Sequence, residues 1–175
     1  MSLEGKRVLI VIAEGYHEHE FWFPYYRFRE AGAEVVVAGP ESGTVLGEGR
    51  HGKDGLPAKI EQGVSEDLRV PRPDLLYLPG GVWSPMKLRA HQPTLELVRW
   101  AMAERLLVGA ICHATWILAS AGVLTGRTVS CPRDMADDAR NAGATYTRER
   151  CVADGNLITA EYFAYLPEHM RAIIK

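Results

Sequence analysis

The sequence predicts one α/β domain with a mostly parallel sheet and helices on both faces. Short, continuous apolar runs alternate along the chain with amphipathic segments, which is typical of parallel strands buried on both faces. The first strand, helix and second strand span about thirty residues, the length of a βαβ unit. A chain of 175 residues corresponds to about one domain, so residues 1–175 are predicted to form a single domain.

Apolar patterning defines the predicted elements in chain order. Short β-branched or leucine-rich runs predict buried strands at residues 8–13, 34–38, 75–78 and 106–111. Apolar residues at helical spacing predict helices at residues 18–31 and 92–104, and a last helix lined by Leu166, Met170, Ile173 and Ile174. Closing glycines predict helices at residues 113–121 and 134–142, the second with three aspartates near its start. Residues 43–63, rich in glycine and charge, predict a hairpin or loop excursion, and residues 152–159 predict a hairpin around Asp154-Gly155-Asn156.

Composition and charge exclude several classes of protein. With 47% hydrophobic and 24% charged residues, the chain is neither disordered nor collagen-like. Its 20 basic and 22 acidic residues give a net charge of −2, whereas a general nucleic-acid or membrane-surface binder is expected to be basic. Three cysteines are too few for a disulfide framework, and no apolar run is long enough to span a bilayer. We therefore expect a cytoplasmic protein without nucleic-acid or membrane partners.

The segment 107–118 places a cysteine where a buried strand runs directly into a predicted helix. A tight strand–nucleophile–helix turn requires small residues two positions before and after the nucleophile, and these are Ala110 and Ala114. The helix N-terminus beyond Cys112 favours a thiolate. We predict that Cys112 is a nucleophile with an exposed sulfur that is anionic near neutral pH. An inert cysteine buried at a strand end is the alternative.

An acyl or carbonyl substrate also needs hydrogen-bond donors for a developing oxyanion. The backbone N–H of His113 is one candidate donor. The end of the third strand, Pro79-Gly80-Gly81, is another, because glycine allows the backbone to approach a ligand closely. A simple turn would need the same glycines, and Trp83 beyond them is a candidate for a pocket wall.

An acidic, histidine-containing segment follows the first strand, at the same edge of the sheet. It contains Glu14, His17, Glu18, His19 and Glu20. The two histidines point apart on a helix, and no nearby spacing completes a zinc set, so no metal site is predicted. One of the carboxylates is predicted to enter the cleft as an acid or base, and His17 is a pocket candidate. A solvated, acid-rich helix start would show the same residues.

Jointly, these residues resemble the ThiJ/PfpI superfamily of cysteine-nucleophile proteins, and most closely its PfpI-type intracellular protease branch. The resemblance covers nearly the whole chain. It rests on residues 14–37, Tyr77-Leu78-Pro79-Gly80-Gly81, Gly109-Ala110-Ile111-Cys112-His113, residues 120–127, Asp137-Asp138, Asn141-Ala142-Gly143 and Asp154-Gly155-Asn156. It implies a flavodoxin-like fold, of the class I glutamine amidotransferase type, with a nucleophile elbow.

The resemblance also implies roles for individual residues. Cys112 is the implied nucleophile, and Glu20 is the carboxyl that reaches its sulfur, usually protonated, and lowers the thiol pKa. His113 is the implied neighbouring base, with the amides of Gly81 and His113 near the oxyanion. A homodimer or larger homo-oligomer with the cleft near a subunit interface is implied as well, and no cofactor is predicted.

Several positions depart from the pattern of the family. No carboxylate follows the Gly-Gly turn, although the protease branch has an acid there that completes a Cys-His-acid set. The usual Gly-Pro after Cys-His is Ala114-Thr115, and a usual Arg position is now Glu161, in Ala160-Glu161-Tyr162-Phe163. Cys131 occupies a position that is often Tyr or His near the nucleophile. It is either a resolving thiol for Cys112 or a buried, inert residue.

Three functions follow from this pattern. The first is a cysteine enzyme acting on a small reactive carbonyl, as glyoxalase and deglycase members of the family do, in stress defence. The second is a PfpI-type peptidase or amide hydrolase, against which the missing acid counts. The third is a redox or stress-response protein that senses oxidants through Cys112.

Overall fold

The predicted alternation of strands and helices is present in the structure. The computed structural model describes residues 2–49, 54–69 and 71–175. Its strands are β1 (Arg7–Val11), β2 (Glu34–Gly39), β3 (Gly43–Leu46), β4 (Pro57–Ile60), β5 (Gln62–Gly63), β6 (Leu75–Leu78), β7 (Leu107–Ile111), β8 (Thr128–Val129), β9 (Thr145–Tyr146), β10 (Cys151–Asp154) and β11 (Leu157–Ala160). Its α-helices are α1 (Glu18–Glu30), α2 (Trp83–Leu88), α3 (Gln92–Ala103), α4 (Thr115–Ala121), α5 (Ala136–Asn141) and α6 (Leu166–Ile173).

Seven strands form the main sheet, in the order β10-β11-β7-β6-β1-β2-β5. Neighbouring strands are parallel throughout, except for the antiparallel hairpin of β10 and β11. The predicted fold class, a mostly parallel sheet flanked by helices, is therefore confirmed. The chain moves from β1 outward to β2 and returns to β6 on the other side of β1. This reversal opens a crevice at the carboxyl ends of β1 and β6, where sheets of this kind bind ligands.

Burial on both faces explains why β1 is a continuous apolar run. Leu9 and Val11 belong to an apolar cluster that includes residues of α3 and α4. The alternate residues Val8 and Ile10 belong to a second cluster, with residues of α1 and α6. Successive side chains of a strand point to opposite faces, so each face needs its own apolar residues and no polar position remains.

The predicted excursion between β2 and β6 contains an antiparallel hairpin. β3 pairs with β4 in a register from Gly43 opposite Ile60 to Leu46 opposite Pro57. Residues 50–53, inside this excursion, lie outside the described residues. The segment after β3 packs on the loop between β1 and α1, because the N–H of Glu48 donates to the carbonyl oxygen of Tyr16 at 2.9 Å. The hairpin therefore covers the loop that follows β1.

The sequence patterns did not predict several of the shortest elements. Helix α2 and the two-residue strands β8 and β9 were not predicted, because they are too short to show a hydrophobic period. The predicted helix at 113–121 is divided into a 3-10 turn, Cys112–Ala114, and α4. Among the described residues, no helix combines the length and the hydropathy needed to cross a bilayer.

Candidate active site

Cys112 occupies a strained turn between β7 and α4. Its φ angle is +59°, in the left-handed region that non-glycine residues rarely adopt. The predicted small residues on either side, Ala110 and Ala114, are fully buried in the turn. Strained backbone of this kind costs about 1–3 kcal/mol and persists where the surrounding structure enforces it. The turn therefore has the strand–nucleophile–helix geometry that the sequence predicts.

The sulfur of Cys112 is less exposed than predicted. The residue is 9% exposed, so the expectation of an exposed sulfur is wrong. Its Sγ lies 3.2 Å from Nδ1 of the neighbouring His113. The backbone N–H groups of His113 and Gly81 also bond to the sulfur and lower the pKa of the thiol. Substrate must therefore approach a sulfur that is already surrounded by hydrogen-bond donors.

Glu20 is the carboxyl nearest to this sulfur. It lies in the first turn of α1 and is fully buried, on the face of the helix that packs against the sheet. Its Oε2 accepts a hydrogen bond from the N–H of Gly80 at 2.9 Å, while Oε1 has no partner of good geometry among the described residues. Burial raises the pKa of Glu20 from 4.5 to about 8, although a hydrogen bond with Cys112 lowers it in part. Glu20 is therefore protonated at neutral pH.

Cys112 and Glu20 ionise as a coupled pair. Burial raises the pKa of the Cys112 thiol, and the negative charge of an ionised Glu20 raises it further. This direction is opposite to the predicted thiolate, as long as Glu20 is the group that is ionised. When Glu20 holds the proton, the repulsion disappears and its O–H can donate to the sulfur. A pair that has lost one proton can thus present a thiolate beside a carboxylic acid.

The two glycines after β6 have different tasks. A Cβ on Gly80 would lie 2.5 Å from Oε2 of Glu20 and 2.7 Å from the Cβ of Cys112, so no other residue fits between them. The N–H of Gly80 is directed at Glu20, so this predicted oxyanion donor holds the carboxyl instead. Gly81 has a φ of +92° and turns its N–H toward the sulfur. Of the predicted oxyanion donors, Gly81 and His113 remain.

His113 has an acidic partner that the sequence patterns did not indicate. Its Nε2 lies 4.0 Å from Oδ2 of Asp134, and its other nitrogen faces Cys112. Burial lowers the pKa of His113, while the nearby charges of Asp134 and Glu48 partly oppose this change. Burial therefore favours the neutral ring of His113, which is the form that can act as a base. Asp134 follows Cys131-Pro132 closely in the sequence, where its pattern indicates only the acidic start of a helix.

Glu48 is a second residue that the sequence patterns did not indicate. Its Oε2 accepts a hydrogen bond from the N–H of Val82 at 3.2 Å, immediately after the Gly-Gly turn. Its Oε1 lies 3.9 Å from Nε2 of His17. The hairpin thus places a carboxyl beside the turn that has no acid of its own. A Glu between two glycines, Gly47 and Gly49, is the sequence signal that could have indicated it.

Two of the predicted pocket residues lie around the site. The ring of His17 stacks on that of Phe163, with centroids 5.0 Å apart and an angle of 17°. Burial lowers the pKa of His17. Trp83, at 54% exposed, lines a cleft of about 750 Å³ together with Glu14, Glu48 and Lys87. Trp83 therefore borders a cleft beside the Gly-Gly turn, and its role as a wall of the Cys112 pocket stays a prediction.

Glu161 directly follows Ala160, which pairs with Ile111 just before Cys112, whereas Cys131 belongs to another apolar cluster. Cys131 packs in the apolar cluster of Leu9, whereas Cys112 packs in that of Val8, and both cysteines are free thiols. Burial, with the charges of nearby acids that include Asp134 and Glu161, raises the pKa of Cys131 to about 12. The role of Cys131, as a resolving thiol or as an inert residue, stays a prediction. The half-buried Glu161 acts on Cys131, and it is not among the residues that line the cleft beside Trp83.

A model of the DJ-1/PfpI family matches residues 6–175. The chain belongs to the DJ-1/PfpI family. A deglycase of Pyrococcus abyssi is 33% identical over 169 residues, which are 97% of this chain and 98% of the relative. General stress protein 18 of Bacillus subtilis is 32% identical and covers 89% of this chain, with 88% of its own length matched. The resemblance noted in the sequence is thereby confirmed.

Solved structures show the same family fold. A two-domain protein of Anabaena variabilis, with DJ-1/ThiJ/PfpI-like and ferritin-like domains, superposes with a TM-score of 0.89 at 32% identity. The match covers 97% of this chain and 49% of that two-domain chain. Drosophila melanogaster DJ-1beta superposes with a TM-score of 0.85 at 27% identity, covering 99% of this chain and 89% of its own. The DJ-1/PfpI fold therefore extends over nearly the whole chain. Among the described residues, no group of three or more His, Cys, Asp or Glu residues is arranged to hold a metal ion.

Proposed function

We propose that this protein is a cysteine-dependent enzyme that converts a small reactive 2-oxoaldehyde to a hydroxyacid. The observation that carries the proposal is the grouping of the Cys112 sulfur, the buried Glu20 carboxyl and the amides of Gly81 and His113. It combines a nucleophile, a proton-transfer group and donors for a developing oxyanion. The relatives named a deglycase and a general stress protein support such a role.

The proposed reaction begins with Glu20 as a carboxylic acid and Cys112 as a thiolate. The thiolate of Cys112 forms a bond to the aldehyde carbon of methylglyoxal, and Glu20 gives its proton to the aldehyde oxygen. The product is a hemithioacetal and an ionised Glu20. The carboxylate then removes the hydrogen of the former aldehyde carbon as a proton, leaving an enediolate that the two amides stabilise.

The second half of the reaction returns the site to its starting state. Glu20 delivers the proton to the neighbouring carbon, and a hydroxyl proton moves to its oxygen, giving a lactoyl thioester. Water attacks the thioester and gives one proton to Glu20, and the carbon–sulfur bond breaks to release lactic acid and the Cys112 thiolate. The sum is methylglyoxal plus water giving lactic acid, without a change in the oxidation state of the enzyme.

Purified protein is expected to convert methylglyoxal to lactate in equal amounts without an added thiol. The measurement is an NMR time course of both compounds, with protein at a hundredth of the substrate concentration. Several turnovers per active site support the proposal. Loss of methylglyoxal only through adducts on lysine and arginine side chains, without lactate, would contradict it.

A second candidate function is hydrolysis of an amide or peptide bond. It is favoured by the contact of His113 with Asp134, because an acid behind a histidine orients the ring as a base. The side chain of Asp134 is 75% exposed, so the ion pair by itself is weak.

Replacement of Asp134 separates the two candidate functions. In Asp134→Asn, turnover of a chromogenic peptide is expected to fall about tenfold or more, while methylglyoxal turnover changes less than twofold. The matched control is Asp137→Asn, which removes another exposed carboxylate of the same region. Equal losses in both assays would show that Asp134 has no specific part in hydrolysis.

The predicted homo-oligomer and the redox-sensing alternative stay predictions.

A further inference from the structure

We propose that Glu48 is a specificity-determining residue that makes the site reject anionic substrates. The inference rests on the proposed function and names its substrate class, uncharged or cationic 2-oxoaldehydes. It is carried by the Glu48 carboxylate, which borders the cleft and accepts the N–H of Val82, the residue after the oxyanion donor Gly81.

Contacts on both sides fix the carboxylate of Glu48. Its backbone N–H donates to Tyr16, and Gly47 forms a β-bridge with the same residue. Its side chain accepts the N–H of Val82 at 3.2 Å and lies 3.9 Å from the ring of His17. The hairpin therefore holds this charge beside the Gly-Gly turn, and the charge does not move freely in solvent.

The charge of Glu48 interacts with two groups of the active site, Glu20 and His113. Burial raises the pKa of Glu48, and its interaction with His113 partly opposes this change; the charge of Glu48 in turn raises the pKa of Glu20. The cleft of about 750 Å³ is also lined by Glu14, whose Oε2 accepts the N–H of Leu46, and by Lys87. Among the described residues that line this cleft, there are therefore two carboxylates and one ammonium group, so negative charge is in excess.

An anionic substrate that approaches Cys112 is repelled by negative charges already present at the site. The thiolate, the enediolate and Glu48 are all negative, so an anionic group on the substrate adds a further repulsion within the cleft. A single charge at several ångströms in a partly screened cleft changes a rate by about tenfold. An uncharged aldehyde does not meet this repulsion, and a cationic tail meets an attraction from Glu48 and from the exposed face of Trp83.

Alkylation of Cys112 tests the inference without requiring turnover. The rate constants for iodoacetamide, which is neutral, and iodoacetate, which is anionic, are measured by intact and peptide mass spectrometry. Their ratio is divided by the ratio for a free cysteine derivative. Both reagents attack the same thiolate, so any change in the thiol pKa cancels. The wild-type protein is expected to disfavour iodoacetate about tenfold more than the free thiol does.

Variants of equal charge provide the comparison. In Glu48→Gln, which keeps a hydrogen-bond acceptor for Val82, the normalised ratio is expected to fall about fivefold or more. Glu104→Gln removes one exposed carboxylate just before β7, at the opposite edge of the sheet, and is expected to leave the ratio unchanged. A ratio in Glu48→Gln equal to that of the wild type would overturn the inference.

A second measurement uses only the wild-type protein. Raising the salt concentration from 20 mM to 500 mM is expected to reduce the normalised ratio severalfold, because ions screen a charge that borders an open cleft. A ratio independent of salt would contradict the role of Glu48, even if its variants failed to fold. The proposed reaction is tested separately, with phenylglyoxal and 4-carboxyphenylglyoxal. Absence of turnover of both would refute that reaction and leave the alkylation result valid.

Discussion

Cys112→Ser is expected to lower kcat/KM for methylglyoxal by about a thousandfold or more. A serine hydroxyl ionises far less readily than a thiol, so little of the attacking anion forms in this buried turn. The measurement is the initial rate of lactate formation at neutral pH, with circular dichroism to show that the variant is folded.

Cys151→Ser is the matched control for this substitution. Cys151 is a half-buried free thiol at the start of β10, paired across the hairpin with Ala160. Its replacement is expected to leave methylglyoxal turnover within twofold of the wild type. If Cys112→Ser retained full activity, the proposed chemistry would be wrong. Equal losses in both variants would indicate a general effect of removing a thiol.

Glu20→Gln is expected to have opposite effects on activity and on stability. Glutamine fills the same space and can still accept the N–H of Gly80, but it cannot move a proton. Turnover of methylglyoxal is therefore expected to fall by about a hundredfold to a thousandfold. The free energy of unfolding is expected to rise at neutral pH, because a buried carboxyl that resists ionisation is replaced by a group that does not titrate.

The pH dependence of this stability change follows from the raised pKa of Glu20. The folded state holds the proton up to a pKa of about 8, whereas the unfolded chain releases it near 4.5. The contribution of Glu20 is therefore fully present below pH 4.5 and is lost as the pH rises toward 8. The advantage of Glu20→Gln over the wild type should grow across this window, by at most about 1.4 kcal/mol per pH unit.

Urea unfolding at pH 5, 7 and 8 measures the effect on stability. Glu104→Gln, which removes an exposed carboxylate, is expected to show no such growth. A constant difference between Glu20→Gln and the wild type at all three pH values would show that Glu20 is not the buried proton holder. The loss of turnover would then need another cause.

Local patterns were sufficient to predict the elbow. A buried strand, two alanines around Cys112 and a following helix lie within twelve residues, so the sequence contains the whole motif. The four central strands were predicted for a similar reason, since a short, continuous apolar run is typical of a strand buried on both faces. The burial of the sulfur was not predictable, because it depends on loops that come from distant parts of the chain.

The acidic residues show where local patterns are insufficient. The residues alone left open which of three acids after β1 enters the site, and only the resemblance pointed to Glu20. In the structure, Glu14 binds the N–H of Leu46 and Glu18 binds that of Gly49, both in the hairpin segment. Glu20 alone of the three binds Gly80 beside Cys112. The path of the hairpin decides this division, and no periodicity in α1 encodes that path.

Neighbours in the chain were enough to predict the buried strands, the tight turn at Cys112 and the Gly-Gly turn after β6, because each depends on a short segment. The positions of Glu48 and Asp134 at the site, and of Cys131 in a different apolar cluster, depend instead on tertiary contacts. Glu48 and Asp134 approach His113 from segments 65 and 21 residues away in sequence. Such long-range contacts follow from strand order and loop packing, and the residue pattern within one segment does not predict them.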